Sequence, residues 1–145
     1  MSRSLLAATL ALTLPTLAGA ETLTLYTSQP NEDAQQTVDA FIAANPGIEV
    51  DWVRDGTTKL MARLTAEIEA GQPQADVLLI ADTVTLEGLA QAGQLAAYAS
   101  PEEAAYDPSL YSADGYYHST KLITTGIVYN TGADAVPTSW ADLAK

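Results

Sequence analysis

The sequence predicts an α/β fold, a mostly parallel sheet flanked by helices, and three observations carry that reading. Short runs rich in strand formers alternate with stretches whose apolar residues recur every three or four positions. Clusters of Gly, Pro, Asn and Asp separate these runs at short, regular intervals. The third apolar run, Val77-Leu78-Leu79-Ile80, is continuous rather than alternating, as expected of a parallel strand covered on both faces. A β-α-β-α-β-α series of this kind folds through right-handed crossovers, with helices on both sides of the sheet.

Residues 1–20 stand apart from that series. Arg3 gives a positive start, Leu5 to Leu14 an apolar run, Pro15 a break, and Ala18-Gly19-Ala20 a small-residue cleavage site. The apolar run is shorter than the ~20 residues a membrane span needs, so it reads as a cleavable export signal. The exported part starts at Glu21. Leu23 to Thr27 forms the first strand, and Ser28-Gln29-Pro30-Asn31 breaks it. Asn31 is the expected N-cap of the first helix, with Glu32 and Asp33 favourable in its first turn. Ala34, Val38, Phe41 and Ile42 give that helix one apolar face, and Asn45-Pro46-Gly47 stops it.

Ile48, Val50, Trp52 and Val53 mark the second strand, and Arg54 to Thr58 turn into a helix with Leu60, Leu64 and Ile68 on its apolar face. Gly71-Gln72-Pro73 ends it. After the third strand, Asp82-Thr83 opens a helix containing Val84, Leu86, Leu89 and Ala92, closed by Gly93. Ala99 to Gly115 reads as a surface loop with one short helix. A further strand is expected over Leu122 to Tyr129, and a helix after Pro137 with Thr138 or Ser139 as its cap. That helix begins only a few residues before Lys145, too short to stand without packing partners. The chain is therefore expected to continue.

Composition removes several functions. With 145 residues, 18 Asp+Glu, 6 Lys+Arg and no cysteine, the chain excludes disulfides and thiolate metal sites. A net charge of −12 also makes nucleic acid a poor partner, because phosphate backbones demand clustered Lys and Arg. Hydrolytic chemistry finds no support either: there is no GxSxG, and His118 is the single histidine. No catalytic residue is assigned, and the chain is read as a non-enzyme.

The chemistry is expected at one edge of the sheet. Ligands of open parallel sheets bind beyond the carboxyl ends of the strands. Three loops leave such ends and enter helices: Ser28 to Asn31, Asp55 to Thr58, and Ala81 to Thr83. The first amides of each helix have no partner within it, and together with the helix dipole they suit an anion. Gly56 lets a backbone approach closely, while Thr57 and Thr58 supply hydroxyl donors. The plainer alternative is that Ser, Asp and Thr only cap these helices.

Over Leu23 to about Tyr98, a stretch that includes QADVLLIAD, and again at KLITTGIVYNT and PTSWADL, the sequence resembles bacterial periplasmic solute-binding proteins of ABC importers. The resemblance is to the group that includes ferric-ion and aminoethylphosphonate receptors. It implies a type II periplasmic-binding-protein-like lobe over residues 21–145, in a monomeric two-lobed receptor most of whose second lobe lies beyond this chain. It further implies a periplasmic location, capture of a small solute by hinge closure and delivery to ABC permease subunits in the cytoplasmic membrane.

Ferric-binding members carry a His after the first strand and a Glu after the third; here those positions hold Pro30 and Ala81, with Asp82 adjacent. An anionic or zwitterionic solute of the phosphonate or phosphate-ester type fits the Gly56-Thr57-Thr58 loop better, with no resident cofactor or metal. The expected contacts are Ser28, Gln29, Thr57, Thr58, Asp82 and Thr83, joined by Thr124 and Thr125, beside a strand that the resemblance places near the cleft or hinge. Ferric ion is the alternative cargo, and an exported structural or interaction module the alternative class. Other residues read as ordinary: His118 as a polar side chain, Glu67 and Glu69 as solvated helix charges, and Arg54 as either an anion partner or the ion-pair partner of Asp55.

Overall fold

A computed structural model describes residues 21–144, so the expected export signal lies outside the described residues. These residues divide into two compact units, one ending at Asp82 and the other starting at Thr83.

The first unit contains β1 (Glu21–Thr27), α1 (Asn31–Ala44), β2 (Ile48–Arg54), α2 (Thr57–Glu69) and β3 (Val77–Leu79). The strands form one parallel sheet in the order β2-β1-β3. The α1 crossover moves outward from β1 and the α2 crossover moves back past it, so right-handed connections put the two helices on opposite faces. Leu25, Tyr26 and Thr27 of β1 are buried, as are Ala34 and Val38 of α1 and Leu60 and Leu64 of α2. β1 is therefore the axis of the core. Just before β3, Asp76 prolongs the pairing: its carboxylate accepts from the Thr24 amide at 2.8 Å, and its own amide donates to the Thr24 carbonyl at 2.9 Å.

Three expectations are corrected here. The buried stripe of α1 is shorter than its sequence suggests, since Phe41 and Ile42 remain 37% and 38% exposed. β3 has three residues, not four, and at the edge of the sheet among the described residues it leaves Val77 42% exposed rather than covered on both faces. Glu67 is not a solvated charge. Its Oε1 accepts from the buried Tyr26 hydroxyl and from Arg63 Nε, both at 2.7 Å, and its Oε2 accepts from the Gln74 amide at 3.1 Å. The Arg63 guanidinium lies 4.9 Å from the Tyr26 ring centroid. Burial pushes the Glu67 carboxyl upward, but the bonds from Arg63, Tyr26 and the Gln74 amide outweigh it and hold it below the ordinary glutamate range. Burial, with the Glu67 bond second, raises the Tyr26 phenol.

Helix α2 ends where the Gly71 signal places it. Gly71 has φ +70°, its amide donates to the Ile68 carbonyl at 2.9 Å, and the Gln72 amide donates to Glu67 O at 2.9 Å. This is the Schellman arrangement, which a left-handed glycine permits without strain.

The second unit begins with α3 (Thr83–Gln91), closed by the same device at Gly93, and none of its helical residues is fully buried. Short 3₁₀ helices follow at Glu103–Ala105 and Pro108–Leu110, where a single short helix was expected, and an antiparallel bridge joins Tyr111 to His118. Gly115 has φ +73°, and a Cβ there would stand 2.9 Å from the Tyr98 carbonyl oxygen, so this turn demands glycine. The expected strand over Leu122 to Tyr129 does not form. Its backbone finds no neighbouring strand among the described residues, and Leu122, Ile123 and Val128 are 73%, 73% and 97% exposed.

The terminal helix is a 3₁₀ helix, Trp140–Ala144, and its capping is inverted relative to expectation. The Asp142 carboxylate accepts from both the Thr138 and Ser139 amides at 3.0 Å and from both their hydroxyls at 3.1 Å, while its own amide donates to the Ser139 carbonyl at 3.1 Å. The acid three residues into the turn reaches back, as the acidic member of a capping box does. Among the described residues no helix is long and apolar enough to cross a membrane.

Candidate functional site

The parallel register brings the carboxyl ends of all three strands to one edge, because Thr27 pairs with both Arg54 and Leu79. The loops leaving those ends are laced together. The Ser28 amide and the Thr27 hydroxyl both donate to the Leu79 carbonyl, at 3.0 and 3.1 Å. The Ser28 hydroxyl accepts from the Ala81 amide at 3.3 Å, and the Asp55 amide donates to the Thr27 carbonyl at 3.3 Å. Thr27 also turns the chain, its hydroxyl accepting from the Gln29 amide at 3.2 Å. Arg54 Nε closes the ring by donating to the Gln29 carbonyl at 3.0 Å.

The structure thus gathers Ser28, Gln29, Thr57, Thr58 and Asp82 along the first unit's rim. Thr83 opens the second unit, and Thr124 and Thr125 lie exposed in its irregular stretch. The strand order 2-1-3 reverses direction between β1 and β3, the position where such sheets place their ligand crevice.

Capping is where sequence expectation and structure part. The N-cap of α1 is Pro30, not Asn31, and that of α2 is Gly56; neither helix has a side-chain cap. Proline has no hydroxyl, amide or carboxylate to offer, and glycine has no side chain at all. Asp55, one residue earlier, bonds only the Gly56 amide, at 2.7 Å, and pairs with Lys59 at 3.6 Å. Those bonds leave the Thr57 and Thr58 amides to face the rim without a partner among the described residues. A Cβ at Gly56 would meet nothing within 4 Å, so the glycine leaves open space beside them. Asp82 takes part in an interaction of its own.

Sequence reasoning missed two features. Thr27 reads as the last residue of a strand, yet it is the fully buried pin of the rim; a Thr two residues before the turn amide it caps was the available signal. In the second unit, His118 Nε2 lies 2.6 Å from Glu103 Oε1, stacks on Tyr111 and meets Tyr98 edge-on. Its bond to His118, followed by one from the Ser100 amide, holds the Glu103 carboxyl below its ordinary range. A cavity of about 500 Å³ opens there, lined by Glu103, Tyr106, Tyr111, His118 and Lys121 among others. No group of three or more His, Asp or Glu among the described residues is placed to hold a metal ion.

With the rim defined, the decisive comparison is with protein families: the model of the bacterial extracellular solute-binding proteins matches residues 27–145. The chain belongs to that family. It is also similar to the crystal structure of iron-bound HitA from Pseudomonas aeruginosa, at 33% identity and a TM-score of 0.57, over 66% of this chain and 30% of HitA. The chain spans less than a third of HitA's length. A search of curated proteins returns no match.

Proposed function

We propose that this solute-binding family member is the receptor subunit of an ABC importer, exported to the periplasm after removal of residues 1–20. It captures a small anionic or zwitterionic solute of the phosphonate or phosphate-ester type and hands it to membrane permease subunits. It binds without chemical turnover. The observation that carries this reading is the rim: three strand-end loops drawn together, two of them opening helices that no side chain caps.

Amides left open at a helix start, aided by the helix dipole, favour an anion. Thr57 and Thr58 add hydroxyl donors, Ser28 and Gln29 line the neighbouring loop, and Asp82 supplies a carboxylate for an amino group on a zwitterion. Thr83, Thr124 and Thr125 remain proposed contacts on sequence grounds. The net charge of −12 does not oppose this, since distant carboxylates are screened beyond about 8–10 Å while the amides act at contact.

Ferric ion is the second reading, and similarity to iron-bound HitA favours it. Against it stand Pro30 and Ala81, which offer no side-chain ligand. A thermal-shift screen of the full-length protein against phosphonates, phosphate esters, polyamines and ferric salts separates the two. Stabilisation by a phosphonate or phosphate ester, recovered unchanged afterwards, is the expected result. A visible absorption band on ferric addition reverses the ranking, consumption of the ligand makes the protein an enzyme, and indifference to every solute leaves a structural module.

A further inference from the structure

Resting on the reading above, the geometry points to Arg54 as the residue that sets the charge of the captured solute, by presenting its terminal amino groups to the solute's second negative charge. The sequence leaves Arg54 ambiguous because Asp55 adjoins it. The structure removes that partner: Asp55 bonds the Gly56 amide at 2.7 Å and pairs with Lys59 at 3.6 Å. The first unit's other cation, Arg63, is held by Glu67 at 2.7 Å. Of the three cations among the described residues of this unit, only Arg54 has no carboxylate partner. In a chain where acids outnumber bases 18 to 6, an arginine left without one is a deliberate expense of positive charge.

Its placement is as telling as its freedom. Arg54 ends β2 in register with Thr27, beside the loop that begins at Ser28. The bond from Nε to the Gln29 carbonyl, 3.0 Å, fixes one edge of the guanidinium and ties the first two loops together. That leaves the two terminal amino groups, a planar fork that matches the oxygens of a phosphonate or phosphate and is held in advance of binding. A backbone amide recognises any anion oxygen, whereas a fixed guanidinium favours a dianion over a monoanion.

The test titrates full-length protein by calorimetry at pH 8 with 2-aminoethylphosphonate and with its monomethyl ester, which carries one negative charge fewer on phosphorus. Arg54→Gln is expected to weaken the phosphonate by about tenfold or more and the ester by less, so that their affinity ratio collapses. Arg54→Lys keeps the charge and preserves most of that ratio. Lys59→Gln, which removes a cation already paired, changes either affinity by less than about twofold. Should glutamine disturb the edge, Arg54→Met keeps the aliphatic stem and should collapse the ratio likewise. An equal loss for both ligands, or an effect no larger than that of Lys59→Gln, reduces Arg54 to a structural or surface residue and overturns the inference alone. If the unaltered protein binds neither ligand, the phosphonate reading of the proposed function falls and takes the role of Arg54 with it.

Discussion

The two units of this chain hold themselves together by different means. Residues 21–82 contain every fully buried side chain among the described residues, and all of them sit on β1, α1 or α2. Residues 83–144 contain none, and their order comes from α3, hydrogen-bonded turns, three 3₁₀ helices, one bridge and the His118–Glu103 pair. A parallel sheet brings distant segments into register and gives their apolar side chains a common interior, each worth about 1.5–3 kcal/mol when fully buried. Local turns satisfy backbone groups without creating an interior. The difference explains why Leu122, Ile123 and Val128 stay exposed although their sequence looks like a strand's.

The contrast is broken most directly by truncating one apolar residue in each unit. Leu60→Ala empties a site only 2% exposed and is expected to lower stability by about 2–5 kcal/mol, read as a fall in the denaturation midpoint. Val128→Ala, at a residue 97% exposed, should stay within about 0.5 kcal/mol. Comparable losses from the two would refute the division.

Backbone geometry, not burial, governs the second unit, and Gly115→Ala sharpens that point. Its positive φ and the Tyr98 carbonyl 2.9 Å from a new Cβ both oppose the substitution, at an expected cost of about 1–3 kcal/mol. The matched change at Gly56, where space is open and φ is ordinary, should leave the melting temperature almost unchanged.

The smallest effects concern the two carboxylates that anchor the units. Both Glu67 and Glu103 ionise below the ordinary glutamate value of 4.5. A depressed folded-state value means that the unfolded chain binds the proton more readily. The stabilisation is therefore complete above pH 4.5 and is lost as pH falls through the lower, folded value. Glu67→Gln should flatten the acid limb of the stability profile measurably. Glu103→Gln should flatten it less, since no buried phenol shares its hydrogen bonds. A larger change for Glu103 would show that the second unit depends on its Glu103–His118 hydrogen bond more than the first depends on the bonds of Glu67.

Much of this was legible in the residues themselves. Three strands and three helices stand within a few residues of where periodicity and breakers place them, because those signals are local: apolar spacing, a glycine at a left-handed position, a proline after a helix. Gly71 and Gly93 behave as their positions foretell. The candidate loops were legible for the same reason, as polar turns between a strand and a helix.

Other features needed the fold. Whether Asn31 or Pro30 caps α1 depends on where the helix begins once β1 is pinned, and Thr27 pins it through partners 52 residues away. Glu67 is half-buried and tied to the core because Tyr26, 41 residues earlier, brings its hydroxyl to it. The strand expected at Leu122 to Tyr129 fails because pairing is a property of two segments and the second is missing among the described residues. By itself the sequence determined element type, turn chemistry and the exclusion of thiolate chemistry, all of which depend on neighbours a few bonds apart. Only the tertiary structure decided which amides go uncapped, which arginine lacks an acid and which carboxylate meets a buried phenol, because each depends on groups that meet only when the chain has closed on itself.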